Sequence, residues 1–273
     1  ISYPMARENA LMMYLNDIKQ YANILTGSNN ILAIEYLKAI KKLKSKLNPI
    51  GIRREKVLYN DEIIIDDFAS ATAIRKMIAT GQFSDIQKVM PKSSYALLAD
   101  ELRKGHYVLD LSKFQKEIIY NLRKMSVEEI AQLVDVSEGL ENAIKNAANS
   151  SNNLVDFVNI VKSKRYTQTR IQRILIYALL GITNSKMLAF KKAVPYARVL
   201  GFNENGKQLI SQIAKKNKKV QIVTSVKKYM DESKNKVLKE MLETDILATN
   251  VYTLGYEKDS WSNLDYTNKL VTM

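Results

Sequence analysis

Residues 66–81 read DDFASATAIRKMIATG, and this stretch predicts a capped helix with an unusual first turn. Ser70 precedes an apolar pattern with helical spacing, so we expect it to be the N-cap. Arg75 then falls in the first turns, where the helix macrodipole disfavours cations. A bound phosphate would resolve this conflict, since backbone N–H groups, the Thr72 hydroxyl and the Arg75 guanidinium can all donate to it. The alternative interpretation is a capped surface helix whose arginine has no ligand.

Two segments before this helix offer further candidate ligand contacts. GSNNILAIEYLKAIKKLKSKL, residues 27–47, predicts a turn and a helix with Asn29 at its start, as a cap or as a ligand contact. PIGIRR, residues 49–54, predicts a short strand that ends on an arginine pair. In open α/β sheets ligands bind beyond the carboxyl ends of strands, so Arg54 either faces a ligand or is solvated. Residues 55–69 read as a loop.

The sequence from residue 92 to 193 predicts an almost entirely helical region. Apolar residues recur at helical spacing in DLSKFQKEIIYNLRKM (110–125), NLVDFVNIVKSK (153–164) and TQTRIQRILIYALLGI (167–182). Ser126 and Glu129 have the spacing of a capping box. Beyond Pro195, ARVLGF (197–202) and VQIVTSV (220–226) read as strands around a helix, which predicts a small parallel strand-helix-strand unit.

The positive charge of the chain is concentrated in one window. The 273 residues include 42 basic and 28 acidic residues, for a formal charge of +14, which favours polyanionic partners. No Asp or Glu occurs from Phe157 to Asn203. Five cations lie just before or inside the helix that Thr167 is expected to cap: Lys162, Lys164, Arg165, Arg170 and Arg173. Without acids nearby in the sequence, they predict contacts to RNA phosphates, with Tyr166 and Tyr177 as stacking surfaces. A solubilising face is the alternative.

Composition excludes several classes of site. The chain has no cysteine and a single histidine, His106, so we expect no disulfide, no thiol nucleophile and no metal site; we interpret His106 as a structural or surface residue. The longest apolar run, residues 174–182, is about half of the roughly 20 residues that span a membrane. No signal peptide pattern is found at the start. We therefore expect a cytoplasmic protein without membrane association, and no obligate protein partner is evident.

Together these segments resemble the tRNA(Met) cytidine acetate ligases, a bacterial family related to nucleotidyltransferases with a histidine-glycine-histidine signature. The resemblance covers nearly the whole chain. It rests, in this order, on SYPMAREN, NNILAIEYLKAIKK, ASATAIRK, EGLENAIKNAA, KRYTQTRIQRILIYALLGI, RVLGFNENGKQL and DILATNVY. It implies an enzyme that makes acetyl-adenylate from ATP, with Mg²⁺, and acetate. The acetyl group then passes to N4 of the wobble cytidine of elongator tRNA(Met).

The resemblance also implies a site and a domain order. ATP would contact Asn29, Arg54 and the second phosphate-binding signature of the nucleotidyltransferase fold, which holds Ser70, Thr72 and Arg75. The catalytic residues are unknown and expected upstream, because the histidine signature and first phosphate loop are absent here; we therefore expect the chain alone to be inactive.

We predict a mostly helical α/β protein in three parts. Residues 1–90 would be the remainder of a Rossmann-like nucleotidyltransferase domain, 91–195 a helical, basic tRNA-binding region, and 196–273 a small α/β region. Two alternatives stay open: a non-catalytic RNA-binding module, and a nucleotidyltransferase that acts on a small molecule.

Overall fold

The computed structural model describes residues 3–14, 28–53, 64–65, 67–163, 165–216, 219–259 and 261–273. The chain divides into two compact units, Ile1–Leu97 and Leu98–Met273. The three-part division expected from the sequence stays a prediction.

The first unit combines helices with one short strand pair. Its helices are α1 (Tyr3–Tyr14), α2 (Ser28–Lys42), α3 (Ala71–Ala79), α4 (Phe83–Ile86) and the first part of α5 (Lys92–Lys104). Strands β1 (Ile64–Ile65) and β2 (Phe68–Ala69) pair antiparallel, with Ile64 opposite Ala69. The sequence predicted a loop here, and this was wrong because β-branched isoleucines favour extended backbone once a partner strand follows closely.

The strand predicted at 49–54 is also wrong as far as the structure describes it. Residues 49–53 have no regular secondary structure. The side chains of Ile50 and Ile52 are 88% and 92% exposed, so no sheet or core covers the apolar residues that suggested a strand. Arg54 lies outside the described residues.

The second unit confirms the predicted helical region. A 3₁₀ turn (Leu111–Phe114) is followed by α6 (Gln115–Lys124), α7 (Val127–Ala131), α8 (Leu140–Ser150), α9 (Leu154–Val161), α10 (Gln168–Leu180) and α11 (Asn184–Lys192). The apolar faces of helices α6 to α10 meet in one core that contains the fully buried Phe157. Ser126 caps α7 in a capping box, as its spacing with Glu129 predicts. Gly181 ends α10 with φ +63°, a left-handed conformation that glycine adopts without steric cost.

Helices α6 and α8 each supply a cation to the carboxyl end of the other. Lys145 of α8 donates to the carbonyls of Arg123 at 2.6 Å and Met125 at 2.5 Å. Arg123 in turn donates to the carbonyls of Ala148 at 2.7 Å and Ser151 at 2.9 Å. These carbonyls have no partner within their own helix, so the exchange satisfies them and places positive charge where the helix dipoles favour it.

The C-terminal strands confirm the predicted parallel unit and extend it. β3 (Ala197–Arg198) pairs in parallel with β5 (Ile222–Val223), and β4 (Gly201–Phe202) pairs in parallel with β6 (Val271–Thr272), which the sequence did not reveal. The helices among these strands are α12 (Glu204–Lys216), α13 (Val226–Glu232), α14 (Lys236–Thr253) and α15 (Leu264–Thr267). The mostly helical α/β class is therefore confirmed. Among the described residues, no helix has the length and apolarity that a membrane span requires.

We expect Gly201→Ala to destabilise the protein, because β6 passes too close for a side chain. A Cβ at this position would lie 2.8 Å from the carbonyl oxygen of Val271, a backbone atom that cannot move away cheaply. The expected loss is about 1–3 kcal/mol in the free energy of unfolding, measured by thermal or denaturant unfolding. Gly51→Ala is the matched control, since nothing lies within 4 Å of its Cβ position. Equal stability of the two variants would contradict the β4–β6 pairing.

Candidate functional site

The predicted phosphate-binding helix starts as its sequence indicates. Ser70 caps α3, and its Oγ accepts a hydrogen bond from the Ala73 N–H at 3.0 Å. Ser70 is buried, at 2% exposure, directly after β2. The burial fixes where the helix begins and therefore where the free N–H groups of its first turn lie.

Thr72 and Arg75 come together on the exposed side of this helix start. Nη2 of Arg75 donates to Oγ1 of Thr72 at 3.4 Å, a contact that orients the guanidinium over the first turn. Arg75 is exposed, and no carboxylate forms an ion pair with it among the residues that the structure describes. Arg75 is the fifth of the nine residues of α3, so the expected conflict with the helix dipole, which acts mainly within the first turn, is weak. The free N–H groups of the first turn and the Arg75 guanidinium can still contact an anion together.

The structure says less about Asn29 and Arg54, the other two candidate nucleotide contacts. Asn29 is the second residue of α2 and is exposed. Its predicted role stays a prediction, as does that of Arg54.

At the start of the basic helix, Arg170 has an internal role. Thr167 caps α10, as predicted. From the first turn, Arg170 donates from Nε and Nη2 to the carbonyl oxygen of Asp135, at 3.0 and 2.7 Å, and from Nη2 to Ser137 Oγ at 2.9 Å. Its guanidinium also lies 5.2 Å from the ring centre of Tyr166. Arg170 thus connects the loop before α8 to α10. Because these bonds use most of the guanidinium donors, only a few donors and the planar face of the guanidinium remain for a ligand.

The neighbouring arginines pair with acids that are distant in sequence. Nε of Arg173 lies 3.0 Å from Oδ2 of Asp135, and Nε of Arg165 lies 3.1 Å from Oε2 of Glu138. Farther along the window, Lys186 pairs with Glu240. The inference that acids are missing around this basic window was therefore wrong, because the fold returns acids to it from residues 135–138 and from α14.

Four cations of the window stay without an ion pair among the described residues: Lys162, Arg170, Lys191 and Lys192. Lys164 lies outside the described residues. The pairs of Arg165 and Arg173 are exposed, and pairs of this kind contribute only about 0–1 kcal/mol, so a phosphate can replace the acid at little cost. Lys162, Arg165 and Arg173 therefore stay the candidate contacts for a polyanion at the start of α10.

The hydrogen bonds of Arg170 predict a stability difference between two arginines one turn apart. We expect Arg170→Ala to lower the free energy of unfolding by about 1.5–3 kcal/mol, since partly buried, charge-assisted bonds are lost. Arg173→Ala removes only an exposed ion pair, so the expected loss is at most about 1 kcal/mol. Urea unfolding of both variants checks this; a larger loss for Arg173→Ala would contradict the internal role of Arg170.

The structure offers no protein cage for a metal ion in its described part. No group of three or more His, Asp or Glu side chains converges there. His106 stacks on Tyr256, with ring centres 5.0 Å apart, and its Nδ1 lies 3.3 Å from Glu101 Oε2. These contacts agree with the interpretation of His106 as a structural residue.

Comparison with known proteins gives a consistent family assignment. The HIGH Nucleotidyl Transferase family model matches residues 1–266. The tRNA(Met) cytidine acetate ligase of Acetivibrio thermocellus is 39% identical over 281 residues, which cover all of this chain and 67% of that protein. The enzyme of the same name from Thermoanaerobacter pseudethanolicus is 39% identical over 273 residues, covering all of this chain and 66% of that protein. The chain thus spans about two thirds of the length of these curated relatives.

Solved structures agree with the sequence relatives. A crystal structure of Thermotoga maritima TmcAL in an apo form is 26% identical and superimposes with a TM-score of 0.89, covering all of this chain and 67% of that one. A second form, bound with alpha-thio ATP, has a TM-score of 0.85 at 24% identity and shows the shared fold. The chain belongs to the HIGH nucleotidyl transferase family, where its relatives are tRNA(Met) cytidine acetate ligases.

Proposed function

We propose that this chain belongs to an ATP-dependent ligase. The ligase makes acetyl-adenylate from ATP and acetate, and then acetylates N4 of the wobble cytidine of elongator tRNA(Met). The observation that carries the proposal is the 39% identity, over the whole chain, to a tRNA(Met) cytidine acetate ligase. The name of that relative supports tRNA(Met) as the partner and acetate as the acyl donor. A tRNA substrate also favours the cytoplasm as its location.

In the first half-reaction, a carboxylate oxygen of acetate attacks the α-phosphorus of ATP, and the bond to pyrophosphate breaks. Negative charge shifts onto the leaving pyrophosphate, so fixed hydrogen-bond donors lower the barrier. The start of α3 offers such donors in its free N–H groups and in Arg75, which Thr72 holds in place. We assign ATP contacts to Ser70, Thr72 and Arg75, and, from the family resemblance alone, to Asn29 and Arg54.

Magnesium is expected with ATP, and among the described residues no three His, Asp or Glu side chains converge to hold it without the nucleotide. The ATP phosphates themselves are the usual principal ligands of Mg²⁺ in such enzymes. None of the steps assigned to this chain's residues depends on the ion.

In the second half-reaction, N4 of the cytidine attacks the acetyl carbon, AMP leaves and N4 loses a proton. The tRNA must be held while this occurs, and phosphate contacts fix its position. We assign this role to Lys162, Lys164, Arg165 and Arg173. Arg170 supports them by fixing the loop from Asp135 to Glu138, although the sequence suggested direct contact.

The proposal is tested by acetate-dependent exchange of labelled pyrophosphate into ATP, with the full-length protein and no tRNA. We expect exchange with acetate and none without an acid, because acetyl-adenylate formation is reversible. RNA binding without any exchange would support the alternative, a non-catalytic RNA-binding module. Exchange that needs no carboxylic acid would instead indicate a nucleotidyltransferase with another substrate.

A further inference from the structure

A small cavity lies between α9, α10 and the turn from Asp110 to Ser112. Its volume is about 220 Å³, below the roughly 300–1,000 Å³ of a typical small-molecule site. Leu154, Val158 and Leu175 give it apolar walls. A cavity of this size and lining suits a single planar group rather than a whole nucleotide.

Three side-chain amides line this cavity: Asn159 of α9, and Gln168 and Gln172 of α10. None of the three side chains has a hydrogen-bond partner among the residues described. An amide presents a carbonyl acceptor and two N–H donors side by side, which is the pattern that pairs with the edge of a nucleobase.

The cation Lys162 lies at the end of the α9 face that carries Asn159. Val155, Asn159 and Lys162 follow each other at spacings of four and three residues, so they lie along one side of α9 and its C-cap. Lys162 is exposed and has no ion pair in the described part of the chain. A base beside Asn159 would thus have this cation one helical turn away for its phosphate. The Asp110 carboxylate also lines the cavity, where it accepts a hydrogen bond from the Ser112 N–H at 2.7 Å.

We propose that this cavity binds one unpaired nucleobase of the RNA, with Asn159, Gln168 and Gln172 contacting the base edge and Lys162 the adjoining phosphate. The proposal rests on the proposed function, since it deepens the RNA contact of the same surface. Binding of a base adds a preference for unpaired RNA, which phosphate contacts alone do not give. The protein should favour single-stranded or looped RNA, whose bases are free to enter, over a continuous duplex, whose bases are stacked and paired.

The test compares Gln168→Leu/Gln172→Leu with Gln208→Leu/Gln212→Leu, which makes the same change at the same spacing on α12. The probes are a short oligocytidylate and a blunt RNA duplex, titrated at several salt concentrations. We expect the first variant to lose roughly five- to a hundredfold in affinity for the oligocytidylate, from the lost amide contacts. Its salt slope should not change, because no charge is removed, and its duplex affinity should equal that of the unmodified protein.

Three results overturn the proposal. If both glutamine variants bind the oligocytidylate equally well while elongator tRNA(Met) still binds to the unmodified protein, the cavity holds no base and the proposed function stands. If the unmodified protein binds neither the oligocytidylate nor elongator tRNA(Met), both the proposed function and the proposed role of the cavity are wrong. Loss of duplex and single-strand binding by the same factor would also contradict base insertion.

Discussion

In the full-length protein, Arg75→Ala should slow acetyl-adenylate formation by roughly ten- to a hundredfold, because a charge-assisted hydrogen bond to phosphate contributes about 1.5–3 kcal/mol. The exposed guanidinium of Arg75 donates to Thr72 and has no acid partner in the described part of the chain, so its remaining donors can bind a phosphate. Acetate-dependent pyrophosphate exchange without tRNA measures this step alone. The same variant should bind tRNA as tightly as the unmodified protein does.

Two further variants separate a phosphate contact from a general effect of lost charge. Thr72→Val removes only the hydroxyl that accepts from Arg75 at 3.4 Å, so we expect a smaller loss in the same direction. Arg103→Ala removes an equal charge from the end of α5, where the arginine pairs with Asp100, and should leave exchange unchanged. Exchange at the full rate in Arg75→Ala would show that the start of α3 does not contact the nucleotide.

Neutralising the exposed cations at the start of α10 should weaken tRNA binding strongly and change its salt dependence. In the triple variant Lys162→Ala/Arg165→Ala/Arg173→Ala, up to three phosphate contacts are lost. Each contact contributes about 0.7–0.9 to the slope of log affinity against log salt, so we expect the slope to fall by roughly two units. At low salt the affinity should fall on the order of a hundredfold, and it should fall for many tRNAs alike, because phosphate contacts carry no base information.

The matched control for this variant removes the same charge elsewhere. Lys207→Ala/Lys215→Ala/Lys216→Ala takes three cations from exposed positions on α12. If the two triple variants lose the same affinity and slope, net charge alone attracts the tRNA and the surface at α10 has no special role. Arg170 is left intact in both variants because its loss would disturb the loop from Asp135 to Glu138.

The parts of this fold that the sequence predicted are those set by local chemistry. Ser70, Ser126 and Thr167 are caps because a side-chain oxygen next to a helical pattern satisfies free N–H groups whatever surrounds it. The helical region followed from apolar spacing, because α6, α9 and α10 each bury one face in the same core. These patterns act within a few residues, so they can be read along the chain.

The parts that the sequence did not predict depend on residues far apart in the chain. Arg173 and Asp135 are 38 residues apart, and only the fold shows that they pair. The exchange of cations between α6 and α8 and the pairing of β6 with β4 are likewise tertiary contacts. The acid-free window therefore predicted a basic segment correctly, but it could not show which of its cations are compensated.

Of the candidate site, the start of α3 could be predicted and the cavity between α9 and α10 could not. Ser70, Thr72 and Arg75 lie within six residues, so their cooperation follows from helix geometry. Gln168 and Asn159 come from two different helices and read as ordinary polar residues until the packing brings them to one cavity.

The most direct test of the central claim follows labelled acetate into tRNA. The full-length protein is incubated with ATP, carboxyl-labelled acetate and elongator tRNA(Met), and the label is located by nuclease digestion of the tRNA. The account predicts label on N4 of the wobble cytidine, one AMP and one pyrophosphate for each acetyl group transferred, and no label in a tRNA with uridine at that position. ATP-dependent label at any other nucleotide, or none in a tRNA that the protein demonstrably binds, would contradict it.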